Sequence, residues 1–289
     1  MYDAEYMVIV TKRKIQAFQQ TVMHYWEKQG RHDLPWRKTK DPYKILVSEI
    51  MLQQTQVTRV REKYIEFLKA FPTIHFLAES RLADVLRIWS GLGYNRRGKF
   101  LRECAIAVVT HHGGKLPHTR VELEKLPGIG HYTAGAVRVF AYNQPDVFIE
   151  TNIRSVFIHE FFDQSTSLTA VKLSSQVHDS EIVQLVEQSS MGMDPRTWYW
   201  ALMDYGAHIK ATKPNPSRRS THHTTQSQFE GSLRQVRGAI LKQLTLCESQ
   251  TFTELRKVLS YEMEQIEEAL EGLAKEGMVV KRNGKWNIA

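Results

Sequence analysis

The chain has 289 residues, 42% of them hydrophobic and 24% charged, which is ordinary globular usage and leads us to expect a packed core in two or three domains. Its 39 Lys and Arg against 31 Asp and Glu give a formal charge of +8, which favours an anionic partner, most simply nucleic acid. Two cysteines, Cys104 and Cys247, with no CxxC or Cys/His finger spacing, exclude a disulfide framework and a thiolate-bound cluster and fit reduced, intracellular thiols. The N-terminal stretch lacks the apolar core of a signal peptide, and no run approaches the roughly 18 apolar residues of a membrane span. A soluble cytoplasmic or nucleoid-associated protein with no membrane partner is expected.

Residues 12–29 place Ile15, Phe18, Val22, Tyr25 and Trp26 at helical spacing. "GRHDLPWRKTKDPY" breaks the pattern. From Ile45 to about Val139 the chain reads as successive helices with short polar joints: "ILVSEIMLQQTQVTRVREKYIEFLKAF", "TIHFLAESRLADVLRIWSGLG" and "RRGKFLRECAIAVVTHHGG". No sustained period-2 alternation appears, so an all-α main body is expected. "TNIRSVFIHEFF" fits a helix capped by Thr151 or Asn152, and further helices are predicted near 181–189 and 195–209. Residues 210–231 are rich in Pro, Ser, Thr and basic side chains and read as a basic linker or surface loop.

Residues 232–289 read as a small α+β domain. "RQVRGAILKQLTL" and "TFTELRKVLS" predict two helices, the second with Thr251 or Thr253 near its cap and Glu254 in its first turn. A third runs from "YEMEQIEEALEGLAK" to a stop at Gly277, and "MVVKRNGKWNIA" is a hairpin turning on Asn283-Gly284. Three helices followed by a hairpin is the order of a winged helix. Its third helix carries Glu262, Glu264, Glu267, Glu268, Glu271 and Glu276 against Lys275, a face that phosphates repel. Packing or contact with a protein partner suits that helix better than DNA. The basic residues lie on the first helix (Arg234, Arg237, Lys242), the second (Arg256, Lys257) and the hairpin.

"LEKLPGIGHYTAGAV", Leu123 to Val137, joins two apolar segments through a Gly-rich turn. A dinucleotide fingerprint needs GxGxxG after a strand and an acidic residue about 20 positions on. Here the preceding segment has a helical pattern and the glycines are Gly128, Gly130 and Gly135, so that reading is rejected. Two helices joined by Leu-Pro-Gly-Ile-Gly instead form a helix-hairpin-helix. Its backbone N–H groups, with the N-terminus of the next helix, cradle a DNA phosphate without reading sequence. Gly128, Gly130, His131 and Thr133 are the backbone-binding candidates.

Together, "LPWR", "SEIMLQQTQV", "GLGYNRR", "LPGIGHYTAGAV", "ETNIRSV" and "ALMDYGAHI", in this order over roughly residues 15–209, resemble the helix-hairpin-helix (HhH-GPD) DNA glycosylases, and within them the MutY-type adenine glycosylases. The resemblance implies a two-lobed glycosylase core over 1–209, with a six-helix lobe at about 37–145 and a second lobe from the N-terminal helix plus 146–209. It implies a monomer that acts on double-stranded DNA containing a mismatch or base lesion. Glu49 then matches the general acid that protonates the flipped purine, chemistry that requires a carboxyl pKa raised by burial. Gln54 and Tyr94 match wedges that fill the gap left by base flipping. Leu34 and Trp36 match walls of the base pocket. Tyr132 stands where bifunctional relatives carry a Schiff-base lysine, so base removal without strand cleavage is implied.

Four departures from the family pattern stand out. Glu150 occupies the position of the aspartate that stabilises the oxocarbenium-like sugar, with Asn152 matching its supporting asparagine and Asp146 as the second candidate. The four-cysteine iron–sulfur loop is replaced by "KATKPNPSRRSTHH", so no such cofactor is expected; a monovalent cation at the hairpin is the one metal the resemblance allows. Trp200 stands in place of a pocket glutamine, and the domain that reads oxidised guanine is replaced by the shorter winged helix. Three readings follow: an adenine-removing mismatch glycosylase, a glycosylase for another damaged or modified base, and a catalytically weak damage-binding protein.

Overall fold

A computed structural model of the protein describes residues 10–162, 176–223 and 228–289. The chain divides into two units, Met1–Lys40 with His131–Thr225 and Asp41–Gly130 with Gln226–Ala289. Helix α1 (Lys12–Gln29) belongs to the first unit. Helices α2 (Pro42–Leu52), α3 (Val57–Ala70), α4 (Ile74–Glu79), α5 (Leu82–Trp89), α6 (Arg96–His112) and α7 (Arg120–Leu123) belong to the second. Helices α8 (His131–Phe140), α9 (Thr151–Phe162), α10 (Asp179–Ser190) and α11 (Pro195–Thr212) return to the first. The second unit ends with α12 (Leu233–Cys247), β1 (Ser249–Thr251), α13 (Phe252–Val258), α14 (Met263–Lys275), β2 (Val279–Arg282) and β3 (Lys285–Ile288). The main body is helical, as its 3.6-residue periodicity predicts.

In the first unit the ring of Phe18 on α1 meets Phe157 and Phe161 of α9 and Trp198 of α11, with centroids 5.3, 5.0 and 5.7 Å apart. Helix α9 is apolar nearly all round, with Ile153, Val156, Phe157, Ile158, Phe161 and Phe162 buried, which makes it the centre of this unit. The structure corrects the expected cap of α9. Neither Thr151 nor Asn152 fills that role; the Glu150 carboxylate accepts from the backbone N–H groups of Asn152 (2.8 Å) and Ile153 (2.9 Å). Glutamate is an uncommon N-cap, so capping preference did not point to it.

The second unit draws its boundaries differently from the sequence expectation. Leu82 and Leu86 of α5 share one buried cluster with Val236, Ile240, Leu244 and Leu270 of the C-terminal segment. Most of that cluster comes from the C-terminal segment itself, so its core is continuous with α5. Its hairpin turns on Asn283 (φ 49°) and Gly284 (φ 76°), both left-handed as a two-residue turn requires. Thr251 and Glu254 form the expected capping box on α13. Sequence periodicity missed β1, three polar residues too short to alternate, which pairs antiparallel with β3 in a sheet of order β1-β3-β2.

The stretch read as a linker is also more ordered than expected. Helix α11 runs on to Thr212, and a 3-10 turn at Pro216–Arg219 follows, with Ser217 and Ser220 buried. Arg219 donates to the Phe162 carbonyl at the end of α9 (2.9 Å), and Val177 bridges to Ser220.

Candidate active site

Helix α2 starts under a strong cap: Asp41 accepts from the Tyr43 N–H (2.9 Å), and Pro42 occupies the first turn, where its missing N–H costs nothing. The run Ile45–Met51 is then buried throughout, Glu49 included, at 5% exposure. That rules out a solvated surface glutamate. A carboxyl withdrawn from water on a buried helix is placed where a general acid has to work.

The two predicted wedges share an unusual backbone. Gln54 (φ 54°) and Tyr94 (φ 46°) both adopt the left-handed region, which costs a side-chain-bearing residue energy and persists only where neighbours enforce it. The enforcer is Arg97, which sequence reasoning quoted within "GLGYNRR" without assigning it a role. Its guanidinium donates to the carbonyls of Ile50 (2.9 Å), Met51 (3.0 Å) and Gln53, and on the other side to those of Leu92 (3.1 Å) and Gly93 (3.0 Å). One half-buried side chain thus satisfies the open C-terminal carbonyls of α2 and ties them to the loop bearing Tyr94. Burial pushes its pKa down to about 10, which still leaves it charged at neutral pH.

The hairpin turn follows α7. Gly128 has φ 74°, and a Cβ there would lie 2.6 Å from Cβ of Phe100, so only glycine fits. Gly130 has open space around it. His131 is exposed at the start of α8, whereas Thr133 is buried, leaving only its backbone N–H for a phosphate.

In the first unit, Glu150 and Asn152 meet as expected: Asn152 Nδ2 donates to Glu150 Oε2 (3.2 Å), and Asn152 Oδ1 accepts from Lys210 Nζ (3.2 Å). Burial raises the pKa of Glu150; the backbone N–H groups of Asn152 and Ile153, with Lys210 and Arg154, offset part of that rise. The second candidate, Asp146, is committed elsewhere, paired with Arg138 at 2.6 Å. Tyr132 sets its ring edge-on to Phe148 at 5.4 Å.

Helix α11 supplies most of what the sequence reading missed. Gly206 abuts the Asn152 backbone, where a Cβ would lie 2.2 Å from the carbonyl oxygen. Asp204 accepts from Arg37 Nη1 (2.7 Å) and Nη2 (2.9 Å) and from Arg31 Nε (2.6 Å). Arg37 follows Leu34 and Trp36, both buried around a 3-10 turn. Trp200 stacks on Phe140 (5.8 Å, 11°), with the Arg37 guanidinium 5.5 Å from its ring centre. These arginine–carboxylate bonds are invisible to local pattern, because partners such as Arg37 and Asp204 lie far apart in sequence.

The family's iron–sulfur cluster does not fit this chain. It needs four thiolates, and the two cysteines lie on α6 and α12 of the second unit, whereas the stretch after α11 is in the first. That stretch is closed by protein contacts instead: Asn215 Oδ1 accepts from the backbone N–H (3.1 Å) and hydroxyl (2.8 Å) of Ser217.

The buried Glu49, the left-handed Gln54 and Tyr94 and the Gly128 hairpin make up the candidate site, and the comparisons give the family of the chain that carries it. Residues 47–184 match the HhH-GPD superfamily of base excision DNA repair proteins, and the chain belongs to that family. It is 34% identical over 274 residues to an adenine DNA glycosylase of Mycobacterium tuberculosis, covering 89% of this chain and 88% of that one. It is 35% identical over 200 residues to an adenine DNA glycosylase of Buchnera aphidicola, covering 69% of this chain but 54% of that protein. Among solved structures, a thermostable thymine-DNA glycosylase superposes with a TM-score of 0.60 at 28% identity, over 72% of this chain and 92% of its own.

Proposed function

We propose that the chain is a monofunctional DNA glycosylase that hydrolyses the N-glycosidic bond of a flipped adenine mispaired with guanine or oxidised guanine. The observation that carries this reading is the burial of Glu49 on α2. A neutral adenine is a poor leaving group. Glu49, in its carboxylic acid form, donates its proton to a purine ring nitrogen. The C1′–N bond then breaks, and its electron pair leaves with the base. Glu150 supplies negative charge to the cationic sugar, water adds at C1′ and gives up a proton to the carboxylate that Glu49 has become, and an abasic site results. Tyr132 has no amine with which to capture C1′, so the strand stays intact. Gln54 and Tyr94 fill the vacated stack. Backbone N–H groups from Gly128 to the first turn of α8 grip the phosphates.

The enclosure of Trp200 between Phe140 and Arg37 favours a second reading, in which another base is removed. An indole offers no amide to pair with a purine edge. The test is excision from duplexes carrying adenine opposite oxidised guanine, adenine opposite guanine, thymine opposite guanine, uracil and hypoxanthine, with alkali revealing abasic sites. Breaks confined to the two adenine duplexes are expected; breaks at thymine alone would overturn the adenine assignment. Glu49→Gln should abolish excision while DNA binding survives, and retained cleavage would refute its role as the acid.

A further inference from the structure

The two carboxylate oxygens of Glu150 are held differently. Oε1 accepts both backbone N–H groups of the α9 cap, Asn152 at 2.8 Å and Ile153 at 2.9 Å. Oε2 accepts the Asn152 side-chain amide at 3.2 Å. An amide can turn either its oxygen or its nitrogen toward a neighbour, because the two are nearly equal in size. Lys210 decides the matter. Its ammonium carries donors and no acceptor, and its Nζ lies 3.2 Å from Asn152 Oδ1, so the amide oxygen faces α11 and the nitrogen faces Oε2. Lys210 is half-buried in the last turn of α11 and opens the stretch that stands in place of the cysteine loop. Gly206, one turn earlier, lets the α11 backbone close on Asn152. The other charged groups around α9 have partners of their own. Arg154 donates to Asp179 of α10 at 2.8 and 2.7 Å, Arg219 to the Phe162 carbonyl at the far end of α9, and Asp146 pairs with Arg138. Among the described residues, Lys210 is the side-chain cation that bonds to the Glu150–Asn152 pair.

We propose that Lys210 is a positioning residue for base excision: it holds the Asn152 amide in the one orientation that presents an N–H to Glu150 Oε2, and so aims that oxygen at the sugar. The inference rests on the reading of Glu150 as the carboxylate that stabilises the sugar cation. Oε1 is committed to the cap of α9, so Oε2 is the oxygen that serves the sugar. Turned over, the amide would set Oδ1 against Oε2, two acceptors with no proton between them. Orientation is one effect of the lysine and charge is the other. Burial raises the Glu150 pKa, and the Lys210 ammonium is among the groups that offset the rise, so its loss leaves fewer chains with an ionised carboxylate at a given pH. Lys210 acts on the reaction only through Asn152 and its charge.

The test uses the full chain labelled with carbon-13 at the glutamate carboxyl, the Glu150 resonance being assigned by its loss in Glu150→Gln. Lys210→Met keeps the length of the side chain but loses its donor and charge; Lys210→Arg keeps both. Lys210→Leu provides a second neutral variant should Lys210→Met fold poorly. The midpoint of the Glu150 titration should move up by about half a unit or more in Lys210→Met and return most of the way in Lys210→Arg. The single-turnover rate, on whichever of the duplexes above the wild-type chain cleaves best, should fall about tenfold or more in Lys210→Met and recover in Lys210→Arg. Added to Glu150→Gln, Lys210→Met should cost little more, because the group it positions is already gone. An unmoved midpoint in the neutral variants, or the same loss of rate with and without the Glu150 carboxylate, would overturn the proposal and leave the catalytic reading of Glu150 intact. A moved midpoint with full activity in Glu150→Gln would instead overturn that reading, and this proposal with it.

Discussion

Replacing Glu150 by glutamine separates the two tasks of that side chain. As the cap of α9 it accepts from two backbone N–H groups at 2.8 and 2.9 Å, which an amide oxygen also accepts. What glutamine lacks is charge. Removing it forfeits a helix N-terminus attraction of about 0.3–1 kcal/mol but also removes the burial cost, which is the larger effect because the carboxyl pKa is raised. Glu150→Gln should therefore fold at least as stably as wild type at neutral pH. The sign follows from linkage. A carboxyl with a raised folded-state pKa contributes stability that is present below the ordinary glutamate range of about 4.3 and lost as pH rises through the folded value. Urea unfolding at neutral pH and near the acid end should show the wild-type chain gaining on the variant as pH falls. Turnover should fall on the order of 10²–10³-fold, the usual loss when an electrostatic stabiliser of the transition state is removed, and Glu150→Asp should retain activity. Full activity in the glutamine variant would refute the role and move attention to Asp146. A large loss of stability alongside lost activity would reduce Glu150 to a cap.

Two further outcomes follow from the same geometry. Asp204→Asn should destabilise the chain by about 3–5 kcal/mol in urea titrations, since it strands Arg37, whose side chain is 4% exposed. Burial raises the Asp204 pKa, but bonding to Arg37 and the charges of Arg37 and Arg31 outweigh it and depress the net value, so this contribution is present above the ordinary aspartate range and fades as pH falls through it; a flat acid profile would refute the pairing. Gly128→Ala should lose about 1–3 kcal/mol of stability through its left-handed φ and the Phe100 contact, whereas Gly130→Ala should fold normally and bind DNA more weakly; unchanged DNA affinity at Gly130 would argue against a phosphate there.

What could be read from the sequence divides along physical lines. Helical periodicity and local capping signals act over a few residues, so the all-α body, the Thr251 capping box and the Asn283-Gly284 turn were legible. The individual site residues were legible only through ordered motifs, which carry identity but not environment. Sequence offered Glu49 as either a solvated helix glutamate or an acid; its burial removes the first reading and leaves the second as the proposal. What stayed hidden is non-local. Arg97 satisfies carbonyls more than 40 positions away, Asp204 pairs across about 170, and α12 shares a core with α5. No periodicity encodes such partners. The winged-helix pattern was recognised, but its autonomy was not testable from composition, because the apolar stripe that meets α5 looks the same as one closing a private core.

Helix α11 shows how one element can vary the proposed base pocket while Glu150, the proposed catalytic carboxylate, stays supported. Trp200 and Asp204, one turn apart, face Arg37, which Asp204 holds by two bonds and Trp200 covers with its ring. Gly206 and Lys210, one turn apart on a different face, back onto Asn152 and through it Glu150. The faces are independent in contact but rigidly joined by a single helix. Exchange of a polar side chain for tryptophan at position 200 changes what a base would meet without touching the bonds that orient Glu150. In the proposed mechanism, a longer acid at position 150 changes the reach toward the sugar without touching the indole. The departures at positions 150 and 200 therefore fall on opposite sides of one rigid support, so each can be altered without dismantling the other.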